Sequence, residues 1–239
     1  MVGAVVVLCG CVALSRLFEE KPKTIAGANG SPGSGSKPEV PENGAKPPDK
    51  RPPIVPVEVF NQYPYPTGTA VGSWVTLRIT RPGKPPVDET WAAIGTEGDA
   101  LWIEHTDCPL GKDLYWATCY LVAPDGALRR AVRGWPGETP VSLPVTSTAM
   151  SDLGILETFL AGTPTDRTEN ILVAAGSFPC KVVTLDEGEG TAWVADGVPF
   201  HGLVRILHGK EPERYIIELA AMGKDRTRSQ LVGVLPTSK

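Results

Sequence analysis

The feature that most limits this chain is a long stretch with almost nothing to bury. From Glu19 to Pro56 it reads EEKPKTIAGANGSPGSGSKPEVPENGAKPPDKRPPIVP, with nine prolines and no apolar periodicity. Such a segment offers too little apolar surface to offset the entropy of ordering it, and it is expected to stay disordered. Its Gly/Ser parts coil and its Pro parts stiffen toward polyproline II. As a coil it would span roughly 35 Å end to end. Much of the chain's high content of 24 Pro and 26 Gly lies here. Residues 12–56 therefore read as a tether, and a globular domain is confined to 57–239, enough for one well-buried core.

The signals in that domain are strand signals. GSWVTLRIT (Gly72–Thr80) alternates Val75, Leu77 and Ile79 with Thr76, Arg78 and Thr80, the period of a half-buried strand. GDALWIEHT, LYWATCYLV and ALRRAVRGW follow, then ENILVAA, FPCKVVTL, GTAWVA, HGLVRIL and RYIIELAAMG, with Gly, Pro or Asp at the breaks. Short strands punctuated by turns predict a mainly β fold: one curved antiparallel sheet, open like a half-barrel, with at most short helices. The single helix candidate is Ser147–Leu160, interrupted by Gly154. Gly176 suits a hairpin corner with Phe178 dropping into the core, and Pro199 and Gly202 suit a turn that opens a strand.

The first residues supply an address. Val2–Leu8 is apolar and far too short to cross a bilayer, even when extended to Leu14. Leu8-Cys9-Gly10-Cys11 resembles the bacterial lipobox, an aliphatic residue and two small residues before an invariant cysteine. The resemblance implies that residues 1–11 are a lipoprotein signal ending at Cys11, whose thiol carries diacylglycerol and whose amine is acylated. Several acyl chains anchor stably where one binds only marginally. No Lys or Arg precedes the apolar run, unlike the usual signal peptide, so either the true start codon lies upstream or the signal is weak; an ordinary signal peptide or an uncleaved anchor is the alternative. Cys9 and Cys11 lack nearby partner ligands for a metal. By the enteric-bacterial sorting rule, Val12 in place of Asp points to the outer membrane.

VGSWVTLRIT, GDALWIE and RRAVRGWPGETPVSLP, followed by TENILVAAGSFPCKVVTL, GTAWVADGVPFHGLVRI and YIIELAAMG, resemble in order and spacing a family of bacterial envelope lipoproteins. The resemblance covers about Val71 to Gly223. It implies the architecture of the LolA/LolB-type lipoprotein carriers, a strongly curved antiparallel sheet with an apolar concave face. The helical lid of those carriers is not evident here.

Groups that could carry chemistry are few. Cys108 and Cys119 could close a loop worth roughly 3 kcal/mol as a disulfide, or stand as separate thiols. Cys180 has no obvious partner. His105 lies beside Glu104 and near Asp107, but neighbouring strand residues point to opposite faces. His201 and His208 read as rim residues, and the acidic turn Asp186–Gly190 lacks the spacing of an EF-hand. No nucleophile elbow, zinc helix, phosphate loop or dinucleotide fingerprint occurs, so no catalytic residue, cofactor or metal is assigned.

Net charge is -4, and Ala127–Arg133, with its three arginines, reads as a solvated face, so nucleic acid is not an expected partner. The six tryptophans, Trp74, Trp91, Trp102, Trp116, Trp135 and Trp193, could in part line a concave face. The expectation is a non-enzymatic, lipid-anchored envelope protein whose β domain binds an apolar ligand or a partner protein. The alternatives are an exported carboxylate hydrolase, with Glu104, Asp107, Asp186 and Glu218 as candidates, or a purely structural envelope component.

Overall fold

The computed structural model describes residues 51–66, 68–107, 115–147, 162–185, 190–210, 212 and 214–234. They belong to one compact unit, Arg51–Lys239. The helix candidate Ser147–Leu160, apart from its first residue, lies outside the described residues, as do the expected signal and most of the expected tether.

The strands are β1 (Val59–Phe60), β2 (Gly72–Thr80), β3 (Val87–Glu97), β4 (Ala100–Asp107), β5 (Trp116–Val122), β6 (Leu128–Gly134), β7 (Val141–Leu143), β8 (Val145–Thr146), β9 (Thr163–Val173), β10 (Gly176–Leu185), β11 (Gly190–Val194), β12 (Leu203–His208) and β13 (Tyr215–Arg226). Eleven form one antiparallel sheet, in the order β7-β6-β5-β4-β3-β2-β13-β12-β11-β10-β9. It does not close into a barrel, since β7 and β9 remain its edges. Strands β1 and β8 make a small parallel pair, Val59 opposite Val145. No helix occurs among the described residues, so the predicted mainly β, open antiparallel sheet is the fold.

The sheet curls on itself. Strand β9 stands four places from β13 in the order, yet Ala175, at the tip of the β9–β10 hairpin, donates its N–H to the Leu219 carbonyl at 3.4 Å. Arg205 on β12 likewise donates to the Leu172 carbonyl at 2.9 Å. Gly176, at that hairpin corner, has positive φ, 139°, as its place in the sequence suggested, and so does Gly202 before β12, at 79°.

Directly opposed residues of an antiparallel ladder share a face, so the register sorts the core into rows. Ile79, Ile217, Ile206, Ala192 and Val183 form one row across β2, β13, β12, β11 and β10, and all belong to one buried apolar cluster. On β3–β6 the inner face carries Ala93, Ile103, Tyr120 and Ala131, part of the main cluster. Burying an aliphatic side chain of this size contributes about 1.5–3 kcal/mol.

Two segments outside the sheet cover its faces. An N-terminal arm, residues 51–66, runs along the inner face. Tyr63 accepts no freedom there: it is 4% exposed, its N–H bonds the Gly126 carbonyl, and its ring packs on Trp91 and Tyr120. A C-terminal strap, residues 227–234, crosses the outer face, where Leu231 and Val234 join Ala92, Ile94, Trp102, Cys119 and Leu121 in a second cluster.

Candidate functional site

On β3–β6 the inner face is apolar except at one end. There the row runs Val75, Trp91, His105, Thr118, Arg133, Val141 across six strands. Alternation brings this about: on β4, β5 and β6 these residues are two positions beyond the core residues Ile103, Tyr120 and Ala131. The Trp91 and His105 rings stack with centroids 3.9 Å apart. His105 Nε2 lies 3.4 Å from Glu89 Oε2, close enough for charge attraction but misaligned for a hydrogen bond. This buried nitrogen has no hydrogen-bond partner, and a buried polar atom left so carries a desolvation cost.

On the other side of the row, Arg133 Nε donates to Thr118 Oγ1 at 2.8 Å. The guanidinium sits over the Trp116 ring, 5.4 Å from its centroid, and Trp116 meets Trp135 at 5.8 Å. The arm begins beside this group: Trp135 donates to the Pro52 carbonyl at 3.3 Å, and Arg51 pairs with Glu138 at 2.6 Å. The result is a half-buried group of aromatic and polar side chains at one end of this face, which we call the mouth; its mix of aromatic walls and a few polar groups is the composition of a small-molecule site.

Glu104, the neighbour of His105, lies on the outer face, in the row Trp74, Ala92, Glu104, Cys119, Val132. The expected divergence of Glu104 and His105 is therefore realised. Glu104 is 2% exposed and holds the strap. It accepts from Ser229 Oγ at 2.7 Å, Gln230 N at 2.9 Å and Gln230 Nε2 at 3.2 Å, with Cys119 Sγ 3.6 Å away. A cavity of about 380 Å³ opens beside this latch, between Glu104 and residues 225–230.

Cys119 carries a free, buried thiol, and Cys108, its expected partner, lies outside the described residues. Burial, and then the Glu104 charge, push the Cys119 thiol far above its ordinary range. That is the opposite of what a nucleophile needs. Burial also raises the Cys180 thiol.

Of the carboxylates named as hydrolase candidates, the two with described side chains, Glu104 and Glu218, do not converge. Glu218 is on β13, hydrogen-bonded to Arg205 at 2.7 Å. Three strand spacings, roughly 14 Å, separate β13 from β4, more than a glycosidase pair spans. Asp107 closes β4, and Asp186 lies outside the described residues. His208 stacks on Tyr215. Among the described residues no group of three or more His, Cys, Asp or Glu side chains is placed to hold a metal ion.

His201 follows Phe200 in a turn where both hold left-handed backbone, φ 69° and 56°, an uncommon conformation outside glycine. The turn is pinned by Phe200 N–H to Thr69 Oγ1 at 2.9 Å and by Ala195 N–H to the Gly202 carbonyl at 2.8 Å. Burial holds the His201 imidazole below its ordinary value, while its bond to the Pro64 backbone acts the other way. The unfolded chain thus protonates first as pH falls. The His201 contribution is fully present above the unfolded value of 6.5 and is lost below it, until the folded group also protonates. His201→Gln is expected to flatten this part of a urea-midpoint profile between pH 7 and 5. An unchanged slope would assign it to other groups.

Sequence reasoning missed Arg133, Thr118 and Glu89. Parity sets Arg133 on the face of Ala131 and Arg130 on the opposite one, where it meets Glu97, while the bulge between Leu121 and Val122 takes Arg129 out of the row toward Asp99. The tryptophans divide, with Trp91 and Trp116 in the inner-face rows and Trp74 and Trp102 on the outer face.

The fold and mouth together define a curled, open antiparallel sheet with an apolar inner face and a polar rim. No family model and no curated protein matches the chain. Among solved structures it is similar to CT021 from Chlamydia trachomatis, with 10% identity over 72% of this chain and 95% of that one, TM-score 0.44. It is also similar to MucB in complex with MucA(peri), with 10% identity over 68% of this chain and 54% of that one, TM-score 0.39. A third is LprF from Mycobacterium bovis, 15% identity over 63% and 85%, TM-score 0.32. Likenesses at this level assign neither ligand nor partner to this chain.

Proposed function

We propose that this chain is a lipid-anchored protein of the bacterial cell envelope, attached through Cys11 and residues 12–56, whose β domain binds an apolar ligand on its inner face without catalysing a reaction. The observation that carries the binding part is the row Trp91, His105, Thr118, Arg133, which gives the apolar face of β3–β6 one polar, aromatic-walled end. The Tyr63 arm fills the face farther in, so a ligand would enter at the mouth.

The anchor is tested by fractionation: the wild-type chain is expected in the membrane fraction and Cys11→Ala in the soluble one, and globomycin should block processing. Membrane recovery of Cys11→Ala together with unchanged processing would end the anchor reading. Ligand binding is tested by native mass spectrometry of residues 51–239 purified from the host. An adduct of acyl-lipid mass supports it. A clean apo mass, with no uptake of added acyl probes, would leave a structural envelope component as the better description.

A further inference from the structure

The three arginines of β6 are treated differently by the fold. Arg129 forms a double hydrogen bond with Asp99, at 2.7 and 3.1 Å. Arg130 bonds Glu97 at 3.3 Å and lies over Trp102. Arg133, half-buried on the inner face, has no carboxylate partner among the described residues: its contacts there are the Thr118 hydroxyl and the Trp116 ring. A guanidinium partly withdrawn from water gains from an anionic partner. Thr118 engages Nε, which fixes the plane of the group and leaves the two terminal nitrogens as an open fork. That fork matches the two oxygens of a carboxylate or phosphate. The one carboxylate at this end with described contacts, Glu89, stands three strands away, roughly 14 Å, where it engages His105.

We propose that the ligand of the mouth is an anionic amphiphile whose single carboxylate or phosphate head sits end-on against Arg133, with its apolar chain against Trp116 and Trp91. This rests on the inner-face binding reading and adds the chemistry of the head group. Thr118 is a positioning residue: it holds the fork and does not touch the head.

The test compares dodecanoate, dodecyl phosphate and 1-dodecanol by calorimetric titration against residues 51–239, the unit that contains all the described strands and the three apolar clusters. The wild-type domain should bind at least one anion about tenfold or more tighter than the alcohol, a difference of about 1.4 kcal/mol. The ratio of the two anions tells a carboxylate head from a phosphate. Arg133→Gln should remove the preference, bringing the anion-to-alcohol affinity ratio close to one, and Arg133→Lys should keep part of it. Equal binding of anions and alcohol by the wild-type domain, or a preference that survives Arg133→Gln, overturns the head-group proposal while inner-face binding stands. If none of the three probes binds, the inner-face reading falls and the head-group proposal with it.

Discussion

Glu104→Ala is expected to destabilise the domain by about 3–5 kcal/mol, read as a fall in the urea midpoint at constant slope. The carboxylate is buried and collects donors from Ser229 and from the backbone and side chain of Gln230. Removing it strands those donors away from water, and each buried unsatisfied group costs about 1–3 kcal/mol. The strap would then lift, exposing the outer-face cluster around Trp102, which is 0% exposed in the folded chain. Red-shifted tryptophan emission should accompany the loss. Ser229→Ala removes one donor and should cost about 1 kcal/mol. A Glu104→Ala loss below about 1 kcal/mol would show that apolar contacts of Leu231 and Val234 hold the strap without the latch.

Gly223→Val should cost about 2–4 kcal/mol, by overpacking and the bonds it breaks. Gly223 faces Trp74 across the β13–β2 ladder, and a Cβ there would lie 2.5 Å from Trp74 Nε1. The indole would have to leave. With it would go the 2.6 Å bond from Nε1 to Asp225 Oδ1 and the stacking of Arg226, whose Cζ is 4.8 Å from the ring centroid. Trp74→Ala in the same background should recover part of the loss, since the clash disappears. No recovery would place the cost in the backbone of β13 instead.

Most of the sheet was legible because strand alternation is a local signal. Val75, Leu77 and Ile79 announced β2, and the divergence of Glu104 from His105 followed from the pleat alone. The two covering segments were not legible. The arm has no period, and its Val59 is buried through a two-residue parallel pairing with β8, a long-range contact. The strap TRSQLVGV reads as a polar tail, and its place depends on a carboxylate more than a hundred residues earlier in the chain. Arg133 was hidden for a related reason. Three arginines within five residues look like one solvated patch, and only the register of β5 and β6 shows that the third turns inward beside Thr118. A β-bulge between Leu121 and Val122 in that ladder locally offsets the pairing, so counting residues from the preceding turn would misjudge the face.

The loop that follows β6 has a mechanical consequence. Glu138 holds Arg51 by its side chain and Val232 by its carbonyl, while Gly137 N–H bonds the Gln230 carbonyl at 2.7 Å. The first and last described residues of the folded unit are thus fastened to the same hairpin. Tension drawn through residue 51 would load this one corner first, peeling the arm from Trp135 before straining the long ladders. A circular permutant that joins the two ends here, with new termini at the Asp125–Gly126 turn, should keep the sheet intact while moving the point of attachment to the opposite end of β6.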